Sequence, residues 1–294
     1  MRVFITGSES FVGRAVLAQC AAAGIKCTGV DAAPTSRPGF QQLDVRSSRI
    51  EEAVPWEVDA VVHLAAMSRD SDCVDNLYDT FDVNVMGTLN LILAARARRA
   101  KQFIFASSEW VYDSCGAEVL KTEESVIDIA QHTSEYALSK LVGESVLRQQ
   151  YLRGFCDTTI LRFGIIYGPR PSNWSAVEAI FDTVRRREPV RVGSGNTARS
   201  FIHVSDIAHG IIKSVGLTGF NVVNLEGSRL ISLAEIAQTS AHVLGVSAQL
   251  IDNGEPANVR AVAGDRALAI LDWSPKVDLE AGLRSLLTPD SESS

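Results

Sequence analysis

The stretch MRVFITGSESFVGRAV, residues 1–16, decides the fold prediction for the whole chain. It begins with a β-rich run, turns at a short polar segment between two glycines, and continues as an amphipathic helical pattern. A strand, a glycine turn and a helix in this order direct main-chain N–H groups and a helix N-terminus to one spot, where a pyrophosphate binds well. Ser10 stands where the fingerprint has its middle glycine. The turn therefore predicts dinucleotide contacts from Gly7, Ser10, Phe11, Val12 and Gly13.

An acidic residue ends the second predicted strand. Asp31 closes the run KCTGVD (26–31), near the distance from the glycine turn at which a carboxylate meets the adenine ribose. A carboxylate there accepts hydrogen bonds from both ribose hydroxyls and repels a 2′-phosphate, so it favours NAD over NADP. Asp44 and Val45, after a third short strand, are predicted to contact the adenine. The sequence thus predicts NAD as the cofactor.

Strand-like and helix-like runs alternate through the first two thirds of the chain. The apolar run VDAVVHLAA (58–66) is typical of a strand buried on both faces, and the runs at 101–108 and 157–164 are also strand-like. Helical patterns lie at 75–99 and 134–152. This alternation predicts an α/β fold with a Rossmann-like, doubly wound parallel sheet.

The pattern changes after GPRP (168–171) to shorter helical and strand-like segments. We therefore predict an NAD-binding domain at residues 1–168 and a smaller C-terminal substrate-binding lobe at residues 169–294. Some segments of the lobe are expected to return to the main domain.

Composition narrows the class of protein and of partner. The chain has 294 residues, 46% of them hydrophobic, and a formal net charge of −7, which argues against nucleic acid as a partner. Five scattered cysteines without CxxC spacing favour a reducing, cytoplasmic setting, and no apolar run is long enough to predict a membrane span. His63 and His203 have no second ligand at metal-binding spacing, so no metal site is predicted.

Three residues predict the chemistry. Ser108 ends the strand FIFASS, at the carboxyl edge where ligands of parallel sheets bind. The motif YALSK then places Tyr136 and Lys140 four residues apart, on one face of a helix. A neighbouring ammonium lowers the pKa of a phenol, so Tyr136 can take a proton from a substrate hydroxyl while hydride leaves for a nicotinamide. Ser108 is expected to hydrogen-bond the same oxygen, and Lys140 to hold the nicotinamide ribose as well.

In this order the motifs resemble the extended short-chain dehydrogenase/reductase family, the NAD-dependent epimerase/dehydratase group. The segments HLAA (63–66), NVMGT (84–88), LRFGIIYGPR (161–170) and RSFIHVSDIAHGI (199–211) are similar to segments of that family, and the likeness runs over nearly the whole chain. The resemblance implies that Ser108, Tyr136 and Lys140 form a catalytic triad. It also implies further cofactor contacts from Leu64, Ala65, Ala66, Asn84, Ala106, Ser107, Tyr136 and Lys140, and substrate contacts from Ser68, Ser108, Glu109 and Arg199.

The resemblance implies a reaction and an assembly. Such enzymes mostly act on nucleotide sugars, through hydride transfer and a keto intermediate, and returning the hydride to the other face gives an epimer. The chain is therefore expected to be an epimerase of a nucleotide sugar, at C4. Arg199 is similar to the arginine that contacts the diphosphate, an anion suited to bidentate donors. A homodimer is expected to form through the two long helical segments.

Departures from the family pattern leave other functions open. Ile165 stands where many members have asparagine, and Glu255 stands where a second phosphate-binding arginine is often found. These departures keep open a dehydrogenase or reductase of a sugar, a sugar acid or a nucleotide sugar. Glu109 is followed by Trp110 instead of a second acidic residue, which disfavours a 4,6-dehydratase. A non-catalytic cofactor sensor is the remaining alternative, and the intact triad disfavours it.

Overall fold

The computed structural model describes residues 1–112, 119–172 and 174–287. The strands are β1 (Arg2–Thr6), β2 (Lys26–Asp31), β3 (Phe40–Gln42), β4 (Ala60–His63), β5 (Gln102–Ser108), β6 (Asp157–Phe163), β7 (Ile166–Tyr167), β8 (Val190–Val192), β9 (Ala198–Arg199), β10 (Ile202–His203), β11 (Phe220–Leu225), β12 (Ile231–Ser232) and β13 (Leu250–Asp252). The α-helices are α1 (Phe11–Ala22), α2 (Ile50–Ala53), α3 (Asp70–Asp75), α4 (Leu77–Phe81), α5 (Gly87–Ala97), α6 (Glu135–Leu152), α7 (Ala176–Arg185), α8 (Val204–Ser214), α9 (Leu233–Leu244), α10 (Asp265–Leu271) and α11 (Leu279–Ser285).

A seven-stranded sheet has the order β11-β6-β5-β4-β1-β2-β3. Its pairs from β6 across to β3 are all parallel. The chain builds outward from β1 to β3 and then returns to the other side of β1 with β4, so the order reverses beside β1. In parallel sheets of this kind ligands bind beyond the carboxyl ends of the strands where the order reverses. The structure therefore has the predicted doubly wound parallel sheet.

The helical segment predicted at 75–99 is divided in the structure. Helices α3, α4 and α5 follow one another, and a π-helical turn at Asp82–Met86 separates α4 from α5. Asn76 stands between α3 and α4 with φ −132° and ψ 54°, which lies outside the helical region. The hydrophobic periodicity of the sequence continues through both interruptions, so it gives no sign of either one.

Among the described residues the chain divides into two compact units. The first comprises residues 1–112, 126–163 and 208–223, and the second comprises residues 119–125, 164–207 and 224–287. The segment of the first unit that begins at residue 126 ends at residue 163, whereas the sequence predicts the domain boundary at residue 168.

Each unit has its own apolar core. In the first unit, Phe4, Val61, Leu91, Phe103 and Leu147 are fully buried in one cluster that fills the space between sheet and helices. The core of the second unit is a cluster that includes Tyr167, Val177, Phe181, Ile236 and Leu283. In the described part of the chain, every helix is too short or too polar to cross a bilayer.

Candidate active site

The first unit gathers the predicted cofactor residues at one edge of its sheet. Gly7 follows β1, Asp31 ends β2, Leu64 follows β4, and Ser107 and Ser108 end β5. Because β5, β4, β1 and β2 are parallel neighbours, these strand ends lie side by side. Residues separated by a hundred positions in the sequence are thus brought to one edge, as the motif order predicts.

The glycine turn is closely packed against the loop after β4. Gly7 has φ +72°, a left-handed conformation that favours glycine, and its N–H donates to the carbonyl oxygen of Val30 at 2.9 Å. A Cβ at Gly7 would lie 2.7 Å from the nitrogen of Ala65, and a Cβ at Gly13 would overlap the carbonyl oxygen of Gly7. Both glycines are therefore required by the close approach of backbone to backbone. The contact also brings the predicted residues Gly7 and Ala65 together.

Ser10 is the N-cap of α1. Its backbone is extended, with φ −67° and ψ 165°, and its Oγ accepts a hydrogen bond from the N–H of Gly13 at 3.0 Å. A serine side chain is a preferred group at this position because it satisfies one of the unpaired N–H groups of the first turn. Phe11 and Val12 follow as the first helical residues and are partly buried. The residue that departs from the glycine fingerprint thus starts the helix.

Asp31 lies at the end of β2 with its carboxylate already oriented. One oxygen accepts from the N–H of Glu9 at 2.8 Å, and the other accepts from the N–H of Ala33 at 2.8 Å. Each carboxylate oxygen can accept a further hydrogen bond, and the side chain is partly exposed. A tight glycine turn, a capped helix N-terminus and an oriented carboxylate on the next strand are the parts that NAD requires, so the residues present fit this cofactor.

Asp44 and Val45, the predicted adenine contacts, have other partners in the structure. The carboxylate of Asp44 accepts from the Arg46 side chain at 2.8 and 3.0 Å, and these hydrogen bonds hold the pKa of Asp44 below its usual value. Val45 is buried, and it packs where a Cβ at Gly87 would collide with it. An adenine contact at these two residues stays a prediction.

Ser108, Tyr136 and Lys140 come together at the end of β5. Ser108 is buried, and its Oγ accepts from the N–H of Trp110 at 3.2 Å. Its hydroxyl lies close enough to Tyr136 to lower the pKa of the phenol. The Lys140 Nζ lies 5.7 Å from the centre of the Tyr136 ring and 4.9 Å from the centre of the Phe105 ring. Since a serine hydroxyl has a single proton and Trp110 donates to the oxygen, the Ser108 proton is available to the Tyr136 oxygen.

The environment shifts the pKa of both titrating members of this cluster. Burial raises the pKa of Tyr136 to about 12, against the nearby Ser108 hydroxyl, which lowers it. Burial lowers the pKa of Lys140 to about 8, against the nearby Cys73 and Glu144, which raise it. At neutral pH Tyr136 therefore carries its proton, because burial outweighs the lowering of its pKa that the sequence predicts from a neighbouring ammonium. Most of the Lys140 population is charged at this pH. Such perturbed values are typical of groups that take part in acid–base chemistry.

Asn84 connects the loop after β4 to helix α6. Its side chain accepts from the N–H of Met67 at 2.8 Å and donates to the carbonyl oxygen of Met67 at 2.9 Å. It also donates to the Oγ of Ser139 at 3.0 Å, and Ser139 donates to the carbonyl oxygen of Tyr136 at 2.7 Å. Asn84 thus holds backbone and helix in place from a buried position in the π-helical turn.

A buried ion pair that the sequence motifs did not predict supports the end of β5. Glu144 accepts from Arg162 at 2.9 and 2.6 Å and from the hydroxyl of Ser107 at 2.5 Å. Arg162 also donates to the hydroxyl of Tyr112 at 2.9 Å. Glu144 follows Lys140 by four residues and so lies on the same helix face, which is the signal that could have found it.

The remaining predicted residues of the first unit occupy different environments. Ala106 is buried within β5, and Ala66 is partly buried in the loop after β4. Glu109 is fully buried at the start of a 3-10 turn, whereas Ser68 is exposed. The described residues contain no group of three or more His, Cys, Asp or Glu placed to hold a metal ion.

Arg199 lies in the second unit, on the two-residue strand β9. Its guanidinium donates to the carbonyl oxygen of Asn258 at 2.6 Å and to the Asn258 side-chain oxygen at 3.0 Å. Glu255, which stands where the family often has arginine, donates its N–H to the carbonyl oxygen of Gly193 at 2.9 Å. His203 hydrogen-bonds Ser205 at 2.7 Å and Ser285 at 3.2 Å.

Comparisons with known proteins identify the family of the chain, similar sequences and a similar fold. Residues 3–220 match the NAD dependent epimerase/dehydratase family. A UDP-glucuronate 4-epimerase of Thermodesulfobacterium geofontis is 28% identical, over 83% of this chain and 77% of that protein. A putative UDP-glucose 4-epimerase of Methanocaldococcus jannaschii is 25% identical, over 97% of both chains. The crystal structure of the Thermus thermophilus UDP-glucose 4-epimerase with NAD superposes with a TM-score of 0.84 at 22% identity, over 98% of each chain.

The family match spans most of the chain, and the structural superposition spans nearly all of it. The predicted Rossmann-like fold, the NAD cofactor and the prediction of an enzyme are confirmed by these matches. This chain belongs to the NAD dependent epimerase/dehydratase family.

Proposed function

We propose that the protein is an NAD-dependent 4-epimerase whose substrate is a nucleotide sugar of the UDP-glucose or UDP-glucuronate class. The observation that carries the proposal is the Ser108–Tyr136–Lys140 cluster at the same sheet edge as Gly7 and Asp31. The names of the two relatives, a UDP-glucuronate 4-epimerase and a putative UDP-glucose 4-epimerase, support the substrate class.

In this proposal, the residues of the cluster move one proton and hold one oxygen. Tyr136 takes the proton of the sugar C4 hydroxyl, and Ser108 donates a hydrogen bond to the same oxygen. The charge of Lys140 stabilises the phenolate that Tyr136 must reach, because an opposite charge nearby favours the ionised form. When bound, NAD supplies a positively charged ring that accepts the C4 hydride and later returns it. Tyr136 would give its proton back to the C4 oxygen when the ketone is reduced from its other face, which would yield the epimer and leave each side chain in its starting state.

The two units have separate tasks in this proposal. The first unit binds NAD through the residues of the glycine turn, Asp31 and the loop after β4. The second unit binds the nucleotide part of the substrate, and Arg199 contacts the diphosphate, where a planar guanidinium forms paired hydrogen bonds with phosphate oxygens. Asn258 holds the guanidinium and fixes its orientation.

We also propose a homodimer in the cytoplasm. Several apolar side chains of the segment from α4 to α5 are exposed, among them Leu77, Tyr78 and Leu93, and Leu152 is exposed at the end of α6. Large apolar side chains exposed on several helices of one region are consistent with an interaction surface there. Cys20, Cys27, Cys73 and Cys156 are free thiols, which supports a reducing compartment. Sedimentation analysis tests the dimer.

The test of the function follows the sugar and the cofactor in the same reaction. The purified protein is incubated with NAD and with UDP-glucose or UDP-glucuronate carrying deuterium at C4, and the products are identified by NMR. A 4-epimerase produces the C4 epimer, keeps the deuterium at C4, and accumulates no NADH absorbance.

Three outcomes would contradict the proposal. Stoichiometric NADH shows a dehydrogenase, and a 4-keto-6-deoxy sugar shows a dehydratase. No product from either sugar, with turnover of a free sugar or sugar acid instead, shows that the nucleotide is not recognised. Tyr136→Phe serves as the control for background epimerisation, since it removes the proposed base.

A further inference from the structure

A continuous chain of buried hydrogen bonds connects the glycine turn to the π-helical turn through His63. The imidazole Nδ1 lies 2.7 Å from the Oγ1 of Thr6, and the Nε2 lies 2.9 Å from the Oγ1 of Thr88. Thr6 directly precedes Gly7, and its Oγ1 accepts from the N–H of Ala65 at 3.3 Å. Thr88 donates to the carbonyl oxygen of Asn84 at 2.6 Å. The side chains of Thr6, His63 and Thr88 are all buried.

The positions of the protons in this chain follow from the partners. A threonine hydroxyl has one proton, and Thr88 gives its proton to the carbonyl oxygen of Asn84. Thr88 must therefore accept from His63, which places the imidazole proton on Nε2. The Nδ1 is then an acceptor for the hydroxyl of Thr6, and the Thr6 oxygen remains free to accept from Ala65. In the series Thr6–His63–Thr88, every donor therefore has an acceptor, and each hydrogen bond has one possible direction.

The imidazole is neutral in this position. Burial lowers the pKa of His63 to about 3, and the charge of Lys140 acts in the same direction. Phe103 and Phe105 of the neighbouring strand pack against the ring, with ring centres 6.1 and 5.8 Å away. A single neutral tautomer is thus present across the pH range around neutrality.

The chain continues through Asn84 to the catalytic helix. The Asn84 backbone accepts from Thr88, and its side chain holds both backbone groups of Met67 and the hydroxyl of Ser139. Ser139 lies in the helical turn between Tyr136 and Lys140. A displacement of Asn84 therefore reaches the cofactor loop and the catalytic helix together.

We infer that His63 is a positioning residue. Its Nε2-protonated ring fixes the distance between the loop at Ala65 and the π-helical turn at Asn84. The NAD-binding turn at Gly7 and the Tyr136–Lys140 pair therefore keep their relative positions. His63 reaches both through Thr6 and Thr88 and takes no part in proton transfer. The inference rests on the proposed function for its rate measurement, whereas its cofactor-affinity and NMR measurements are independent of the substrate.

The experiment removes the hydrogen bonds of this series at Thr88. Thr88→Val keeps the shape of the side chain and removes the hydroxyl, whereas Thr88→Ser keeps the hydroxyl. Thr158→Val is the matched control, because Thr158 is also fully buried in the first unit and its hydroxyl donates to the carbonyl oxygen of Cys156, outside this chain. NAD affinity is measured by calorimetry without substrate, and kcat and KM are measured below the melting temperature of each variant.

We expect Thr88→Val to weaken NAD binding and to lower kcat, each by about tenfold, which is the effect of losing one to two buried hydrogen bonds. KM for the sugar stays within about twofold, since no substrate contact is removed. Thr88→Ser restores both values, and Thr158→Val lowers the melting temperature without changing either. Nitrogen-15 NMR of the imidazoles, with His63 assigned by its absence in His63→Gln, shows the Nε2-protonated tautomer in the wild type and a mixture of tautomers in Thr88→Val.

Two results would overturn the inference. One is an Nδ1-protonated or averaged His63 in the wild type. The other is a Thr88→Val variant that, like Thr158→Val, loses stability and keeps its NAD affinity and kcat. If no epimer forms at all but NAD affinity and tautomer respond as expected, the proposed function fails and the positioning role stands.

Discussion

The two units hold their candidate ligand groups in different ways. In the first unit, the groups lie at the ends of adjacent parallel strands, and short local motifs place them: the turn between Gly7 and Gly13, and the helical turn from Tyr136 to Lys140. In the second unit, Arg199 lies on a strand of two residues, and its guanidinium is held by Asn258, 59 residues away in the sequence. A group placed by a local motif can be located from sequence spacing, whereas a group held by a distant partner depends on packing.

This difference makes a testable division of labour. Substitutions at the motifs of the first unit are expected to change NAD binding or the chemical step. Substitutions at Arg199 are expected to change only the affinity for the nucleotide sugar. The division would be wrong if a substitution at Arg199 weakened NAD binding, or if a substitution at the motifs of the first unit changed only the affinity for the nucleotide sugar.

The largest effect is expected for Tyr136→Phe. Removing the phenol hydroxyl removes the proposed base, which lowers kcat by about a thousandfold. NAD affinity, measured without substrate, is expected to change by less than about threefold, because the ring stays in place. Tyr151→Phe, at the other end of α6, is the control and keeps the wild-type rate. A Tyr136→Phe enzyme within about tenfold of the wild-type kcat would show that another group moves the proton.

The sequence predicted the parts of this site that depend on local spacing. The parallel sheet, the glycine turn, Asp31 at a strand end, and Tyr136 and Lys140 on one helix face all follow from patterns within a few residues. The π-helical turn around Asn84 was not predicted, because a single turn is too short for hydrophobic periodicity to separate it from the helical patterns on either side. The pair Glu144–Arg162 was missed for another reason: a helix and a strand contribute one residue each, and packing in three dimensions brings them together.

The second largest effect is expected for Gly13→Ala. A Cβ at Gly13 would overlap the carbonyl oxygen of Gly7, so α1 must move away from the turn. Forced overpacking of this kind costs about 1–3 kcal/mol, and the displaced helix N-terminus is expected to weaken NAD binding by about a hundredfold. Gly264→Ala is the control in the second unit, where the nearest atom to the new Cβ lies 4.0 Å away. Equal NAD affinities of the two variants would show that the turn between Gly7 and Gly13 does not bind the cofactor.

The third prediction concerns the pH dependence of folding. Burial lowers the pKa of His63 from 6.5 to about 3, so below pH 6.5 the unfolded chain takes up a proton that the folded chain excludes. Stability contributed by this residue is complete above pH 6.5 and is lost as the pH falls, by about 2 kcal/mol at pH 5, since each pKa unit corresponds to about 1.4 kcal/mol. Urea unfolding at about pH 7 and about pH 5 measures the loss.

His203 provides the matching measurement in the second unit. Burial also lowers the pKa of His203, but the nearby Asp206 raises it, so a smaller part of the pH dependence is expected from this residue. His63→Gln is therefore expected to remove more of the pH dependence of unfolding than His203→Gln removes. The opposite ranking would show that the second unit is the acid-sensitive one.

A smaller effect, confined to one ligand, is expected for Arg199→Gln. Losing charge-assisted hydrogen bonds to a diphosphate is expected to raise KM for the nucleotide sugar by about tenfold, while the NAD affinity stays within about twofold. Arg185→Gln is the control, because Arg185 is an exposed arginine of the same unit that pairs with Asp182 on α7. An unchanged KM together with weakened NAD binding would assign Arg199 to the cofactor and remove the division between the units.

The smallest effect is expected at Ser10, the residue that departs from the glycine fingerprint. Its Oγ caps α1 by accepting from the N–H of Gly13, and glycine is itself an acceptable N-cap, so Ser10→Gly is expected to cost only a few tenths of a kcal/mol. NAD affinity is expected to change by about twofold, since the hydroxyl serves the helix and a glycine there leaves the helix N-terminus in place.

Ser10→Ala separates the cap from the cofactor. Alanine cannot cap, so this variant is expected to lose about 1 kcal/mol of stability in urea unfolding, clearly more than Ser10→Gly. Both variants are expected to bind NAD with nearly the wild-type affinity in calorimetry. If Ser10→Gly abolishes NAD binding while leaving stability intact, the Ser10 hydroxyl itself binds the cofactor. NAD binding at this turn would then require a side-chain contact, whereas the glycine motif requires only the geometry of the backbone.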